Sequence, residues 1–219
     1  MWSAFRFVSL VLLLATTGAL LFARAMDRDL NHDEHQFLAP AALVSRQGLR
    51  PYVDFPVFHV PNLIYLYAGI DRLGVPLLLG AKWIGILASL TVAGLLATRC
   101  LSNQNVSNQR IGAAVAVSSV AIFIFDPLFV RTAGKTWNHE LPACFAILAF
   151  YFHVGAARRK LLRSALASGI LLSLAIGTRL TWLPVALVIV IVVARNPDVR
   201  LAVPRDDHAH VLLLVHLVV

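Results

Sequence analysis

Residues 7–23 read FVSLVLLLATTGALLFA, seventeen residues without a charge, closed by Arg6 on one side and Arg24 on the other. As an α-helix this is about 25 Å of apolar rod, close to a hydrocarbon core of roughly 30 Å. The pattern recurs along the chain. Uncharged stretches cover residues 74–98 (interrupted by Lys82), 111–125, 141–157, 164–178 and 180–194, with charged knots between them. Backbone in lipid has no water to bond to, so each stretch is expected to be a helix. The expected fold is therefore all-α, a polytopic membrane bundle of about six transmembrane helices. The last two runs meet at Arg179 and read as two short spans rather than one kinked helix.

Composition agrees with this. Of 219 residues, 59% are hydrophobic and only 14% charged, with a mean hydropathy of +0.77. A soluble domain carries about 25% charged residues to face water. The net charge of +8 does not point to nucleic acid, because the basic residues punctuate apolar runs instead of gathering in a patch. Membrane lipid and phosphate are the expected anionic partners. Cys100 and Cys144 stand at or inside apolar runs without CxxC spacing, so no redox or metal motif is read from them.

The densest basic knot, Arg158, Arg159, Lys160 and Arg163, is placed in the cytoplasm by the positive-inside rule. Counting spans from there puts the N-terminus in the cytoplasm, with residues 24–74 and 131–140 outside a plasma (inner) membrane. A rival reading takes Ala23-Arg24-Ala25 as a signal-peptidase site behind a basic Arg6. The apolar core is long for a signal peptide and further spans follow, so an uncleaved anchor is preferred, and either reading leaves residues 24–74 outside. The sequon Asn105-Val106-Ser107 falls in an inner loop and is discounted. Prolines 51, 56 and 61 forbid one continuous helix in the first outer segment. Short juxtamembrane helices are expected at residues 38–44 and 62–70, making this an ordered loop. Residues 1–195 are taken as one transmembrane domain. Residues 196–219 are an atypical tail, ending in VLLLVHLVV, too short to cross a bilayer and expected to derive from truncation.

The chemistry-bearing residues gather on the outer side. Asn31-His32-Asp33-Glu34-His35 follows the first run directly, and paired carboxylates beside a membrane are costly unless solvated or used. The bland alternative is a solvated loop. His32 and His35, with His139, also permit a metal reading, but HxxH without HExxH is weak support. Lys82, Arg131, Lys135 and Arg179 stand at span ends on the same side. Each alone reads as a snorkelling cation. Their grouping with Asp33, Glu34 and Glu140 points instead to chemistry on a phosphate-linked lipid.

An ordered series of motifs then resembles the GT-C fold membrane glycosyltransferases, in particular the protein O-mannosyltransferase and aminoarabinose transferase-like group. Asp33-Glu34 follows the first span. Gly48-x-x-Pro51-Tyr52-x-Asp54-Phe55 and His59-x-Pro61-Asn62-Leu63-x-Tyr65 come next. Lys82 opens the second span, Glu140 begins the fourth, and Gly177-Thr178-Arg179 closes a short fifth. The resemblance covers about residues 5–195. It departs at Asn62, where the group commonly has Pro, and the chain lacks the later spans and outer domain of a typical member.

The resemblance implies inverting transfer of a sugar from a polyprenyl-phosphate donor to a hydroxyl of an acceptor glycan, lipid or protein on the extracytoplasmic face. Asp33 is then the general base, within hydrogen-bond reach of the acceptor proton, with Glu34 beside it as the second catalytic acid. Lys82, Arg179, Arg131 and Lys135 are the donor-phosphate ligands, because fixed cations stabilise charge growing on a departing phosphate. Glu140 is a supporting acid, and Glu34 and Glu140 either orient the base or hold a divalent metal cation. The helix around Tyr65 would shape a lipid groove. The rival readings are a transporter or flippase-like protein for an anionic or lipid-linked substrate, and a non-catalytic membrane remnant.

Overall fold

The computed structural model describes residues 4–102, 109–159 and 162–195. The described residues are helical, without a β-strand. They form two compact units, one of Met1–Pro56 with Ile64–Glu140 and one of Val57–Leu63 with Leu141–Val219.

The first unit is built on α1 (Ala4–Asp27), α4 (Leu77–Leu101) and α5 (Gln109–Phe125). Both α1 and α5 pack on α4. Small side chains let the backbones approach, as is usual where neither helix gains by leaving lipid. Ala93 and Ala97 of α4 meet Ala116 and Val120 of α5, with Leu10, Leu13 and Leu14 of α1 against them. A Cβ on Gly18 would stand 3.5 Å from Leu90. Farther along, Leu21 and Ala25 of α1 pack on Ile86 of α4 and on Ala133.

Two helices, Ala4–Asp27 and Leu77–Leu101, are long and apolar enough to cross a membrane. Only 11% of the most apolar window of α1 is buried, against 44% for α4. The helix that would be a cleaved signal in the rival reading is packed into this unit, with Ala25 of its A-x-A completely buried. The shorter apolar helices include α5 and, in the second unit, α8.

The segment between α1 and α4 is ordered and more helical than expected. Residues 38–44 lie within a longer α2, His32–Gln47, and residues 62–70 within α3, Asn62–Arg72. The early start of α2 has a local cause. Asn31 and Glu34 form a reciprocal capping box, so Asp33 and Glu34 occupy a first helical turn instead of a loop. Gly48 ends the helix in the left-handed region, φ 69°. Beyond it, the Asp54 carboxylate accepts from the backbone N–H of Arg50 at 2.7 Å and closes a compact turn. A short α6, Pro127–Thr132, follows α5, with Asp126 as its N-cap accepting from Phe129 N at 2.9 Å and Pro127 at its first position.

In the second unit α7 (Glu140–Arg159, its first residue counted with the first unit), α8 (Leu162–Thr178) and α9 (Leu183–Arg195) follow in order. Ala149, Leu172, Ile176 and Ala186 make their core. Ser168 donates to the Ala149 carbonyl at 2.8 Å, tying α8 to α7. Arg179 is extended (φ −156°) and a 3-10 turn, Leu180–Trp182, leads into α9, so the two apolar runs are separate helices. Asn62, the position at which the motif series departs from its pattern, lies against Gly177. A Cβ there would fall 2.2 Å from the Asn62 amide nitrogen.

Candidate functional site

Four helix ends meet near the boundary of the first unit that sequence reading places outside: the carboxyl ends of α1, α5 and α6, and the amino end of α2. A helix leaves its last four carbonyls and first four N–H groups without internal partners, and the carboxyl end carries partial negative charge. Here three cations close the carboxyl ends. Arg24 donates to the Ile124 carbonyl of α5 at 2.7 Å and lies over the Phe125 ring at 5.2 Å. Arg28 donates to the Arg131 carbonyl at 2.8 Å and to the Val130 carbonyl, in the last turn of α6. Lys82 donates to the Ala25 carbonyl of α1 and, at 3.0 Å, to that of Arg28. Lys82 is therefore buried, with two of its three N–H groups on backbone carbonyls.

The amino end of α2 is held by Glu34. One carboxylate oxygen accepts from Asn31 N at 2.9 Å, and the other from Thr136 N at 2.6 Å, 102 positions away. In return the Asn31 side chain accepts from Glu34 N at 3.1 Å. Glu34 is 1% exposed and so serves as a strut joining α2 to the segment between α6 and α7. Asp33, one residue earlier on the same turn, is exposed. The two acids expected to act as a pair thus differ in kind: one is a buried backbone ligand, the other open to solvent.

Glu140, the first residue of α7 and ahead of its apolar run, is 6% exposed, and neither of its carboxyl oxygens has a hydrogen-bond partner. Burial pushes this carboxyl up to about 8, against the pull of its own backbone N–H, the nearby Thr132 hydroxyl and the Arg28 charge, with the Glu34 charge adding to the rise. The Thr132 hydroxyl itself donates to the Leu128 and Phe129 carbonyls. Burial also raises the Tyr67 phenol, helped by the charges of Glu140 and Glu34. Glu34, Glu140, Tyr67, Arg28 and Lys82 thus form one neighbourhood.

The other expected phosphate ligands are distributed differently. Arg131 is exposed at the end of α6. Lys135 lies 4.0 Å above the Trp137 ring, which also stands beside His139 at 5.3 Å. Arg179 belongs to the second unit, where its N–H donates to the Ala175 carbonyl at 3.0 Å and its carbonyl accepts from Trp182 N at 3.1 Å. Tyr65 is exposed on α3. His32 and His35 are exposed on α2, and among the described residues no three His, Cys, Asp or Glu side chains converge as metal ligands. Neither Cys100 nor Cys144 is in a disulfide. Arg158 and Arg159 are described only as backbone, Lys160 lies outside the described residues, and so do the sequon and the tail from residue 196.

Arg24, Arg28, Tyr67 and Thr136 were not expected here. Arg24 and Arg28 carried a signal: basic residues just past an apolar run that ends beside other helix ends. Thr136 acts through its backbone N–H, which no side-chain pattern can reveal. No protein-family model, curated protein or solved structure matches this chain.

Proposed function

We propose that this chain is a multi-pass membrane glycosyltransferase module that moves a sugar from a polyprenyl-phosphate donor to an acceptor hydroxyl on the extracytoplasmic face, with inversion and with Asp33 as general base. The observation that carries the reading is the state of Asp33. It stands exposed in the first turn of α2, directly after the apolar helix α1, on a backbone pinned at both ends of the capping box and again through Glu34 to Thr136. A general base must be solvated enough to ionise yet fixed in position, and this arrangement supplies both.

In this reading Glu34 positions the base and does not itself exchange protons with substrate. The departing phosphate is met by Arg131 and Lys135 and by the remaining N–H of Lys82. Six helices, α1, α4, α5, α7, α8 and α9, would span the inner membrane, with α2 and α3 at its outer surface. Apolar side chains on the outside of the first unit support a lipid setting: Phe7, Leu12, Leu87 and Ile122 are 57–73% exposed.

The test is sugar transfer in membranes carrying the full chain and a polyprenyl-phosphate-linked sugar. Asp33→Asn should abolish transfer while the protein still inserts and unfolds at the wild-type temperature. Transfer that survives this change rules Asp33 out as the base, and no transfer by the wild-type chain with any donor removes the enzyme reading.

A further inference from the structure

Buried polar atoms in folded proteins are almost always bonded, and each exception asks for a reason, a bound ligand among them. Among the described residues the exceptions are concentrated. The unpartnered buried side-chain atoms are Thr136 Oγ1, Trp137 Nε1 and both carboxyl oxygens of Glu140, all within five consecutive residues. The same segment is anchored to the base-bearing helix, since Thr136 N donates to Glu34. The Glu34 charge is also felt at Glu140.

We propose that Thr136, Trp137 and Glu140 form a hydrogen-bonding subsite for a neutral polyhydroxylated ligand, a sugar ring. The chemistry selects among ligands. A phosphate or carboxylate would meet a carboxyl group here, with Glu34 behind it. A metal ion would need more converging ligands than this neighbourhood holds. An ammonium would face the indole N–H of Trp137, which can only donate, and the Arg28 charge that Glu140 already feels. Hydroxyl groups both donate and accept, so they can satisfy the indole N–H, the threonine hydroxyl and the carboxyl together. The inference deepens the proposed function and rests on it, in naming where the transferred sugar is held.

Binding can be measured without transfer. The full chain is purified in a polyoxyethylene detergent, which carries no sugar, and its thermal unfolding is followed with a panel of neutral methyl pyranosides, with inorganic phosphate and with ethylamine. At least one pyranoside should raise the melting temperature saturably, and phosphate and ethylamine should not do so through Glu140. Glu140→Leu should melt higher than wild type without ligand, because an unpaired buried carboxyl is removed, and should lose the pyranoside shift. Thr136→Val should weaken pyranoside binding several-fold. The proposal is overturned if no pyranoside binds, if ethylamine gives the Glu140-dependent shift, or if Glu140→Leu melts lower or fails to fold, since the carboxyl then serves the fold. Pyranoside binding that needs Glu140 in a chain that transfers no sugar would uphold the subsite and sink the enzyme reading alone.

Discussion

Asp33 and Glu34 are adjacent acids with opposite surroundings, and the difference follows from helix geometry. The third helical position faces back toward the N-cap, so Glu34 can reach the Asn31 N–H, while the second position faces outward. Glu34→Ala removes the acceptor of two backbone N–H groups, one of them at a buried position. The expected loss is about 2–4 kcal/mol of stability, measured by denaturant unfolding in detergent. Asn31→Ala should cost about 1 kcal/mol, the usual worth of an N-cap. Glu140 gives a prediction in pH. Its folded-state value, raised to about 8, lies above that of the unfolded chain. Below pH 4.5 both states hold the proton and its contribution is fully present. As pH rises toward 8 the unfolded chain ionises first, so stability is lost across that window. Glu140→Gln should flatten the melting temperature between pH 5 and 8. An unchanged slope would show that Glu140 is ionised in the folded protein.

At the level of elements, the end of the first unit where α1, α5 and α6 close is held by helix caps supplied from a distance. Lys82, on α4, closes the end of α1, so Lys82→Met should free two carbonyls and cost about 1–3 kcal/mol even without substrate. A donor-binding role alone would leave ligand-free stability unchanged, so the unfolding curve separates the two. Gly134 matters for the same junction. It has φ 83°, and a Cβ would stand 2.7 Å from Ala25 Cα, the residue whose carbonyl Lys82 caps. Gly134→Ala should cost on the order of 3 kcal/mol from backbone strain and overpacking together. Much at this level was legible beforehand. The apolar runs coincide with α1, α4, α5, α7, α8 and α9 within a few residues, because a run of that length without charge has few other foldings. What was missed, the early start of α2 and the whole of α6, was also written in the sequence as Asn31-x-x-Glu34 and Asp126-Pro127. These are capping signals that charge and hydropathy patterns hide.

For the whole molecule, the largest expectation is orientation. In a variant with Cys100 and Cys144 replaced by serine and alanine, a cysteine at exposed Gln47 should react with an impermeant maleimide in intact cells. One at exposed Ser102 should react only after the membrane is opened. The reverse pattern would turn the molecule over and put Asp33 on the cytoplasmic side, ending the proposed function. Nearby Ser45 is less suited to such a label, because its hydroxyl donates to the Ala42 carbonyl within α2 and to Asp71 of α3.

The sequence by itself determined that the chain is helical, where its apolar runs begin and end, and which acids and cations stand at their ends. These are properties of consecutive residues, read from hydropathy and from the backbone's need for partners. Only the tertiary structure decided what each charged group does. Lys82 and Arg28 spend their N–H groups on helix ends, the Glu34 carboxylate accepts from a backbone N–H 102 positions away, and Glu140 is left buried without a partner. The physical reason is that a charge's role depends on which orphan carbonyls and N–H groups come within about 3 Å of it. Those groups belong to the backbone, which looks the same at every position until the chain is folded.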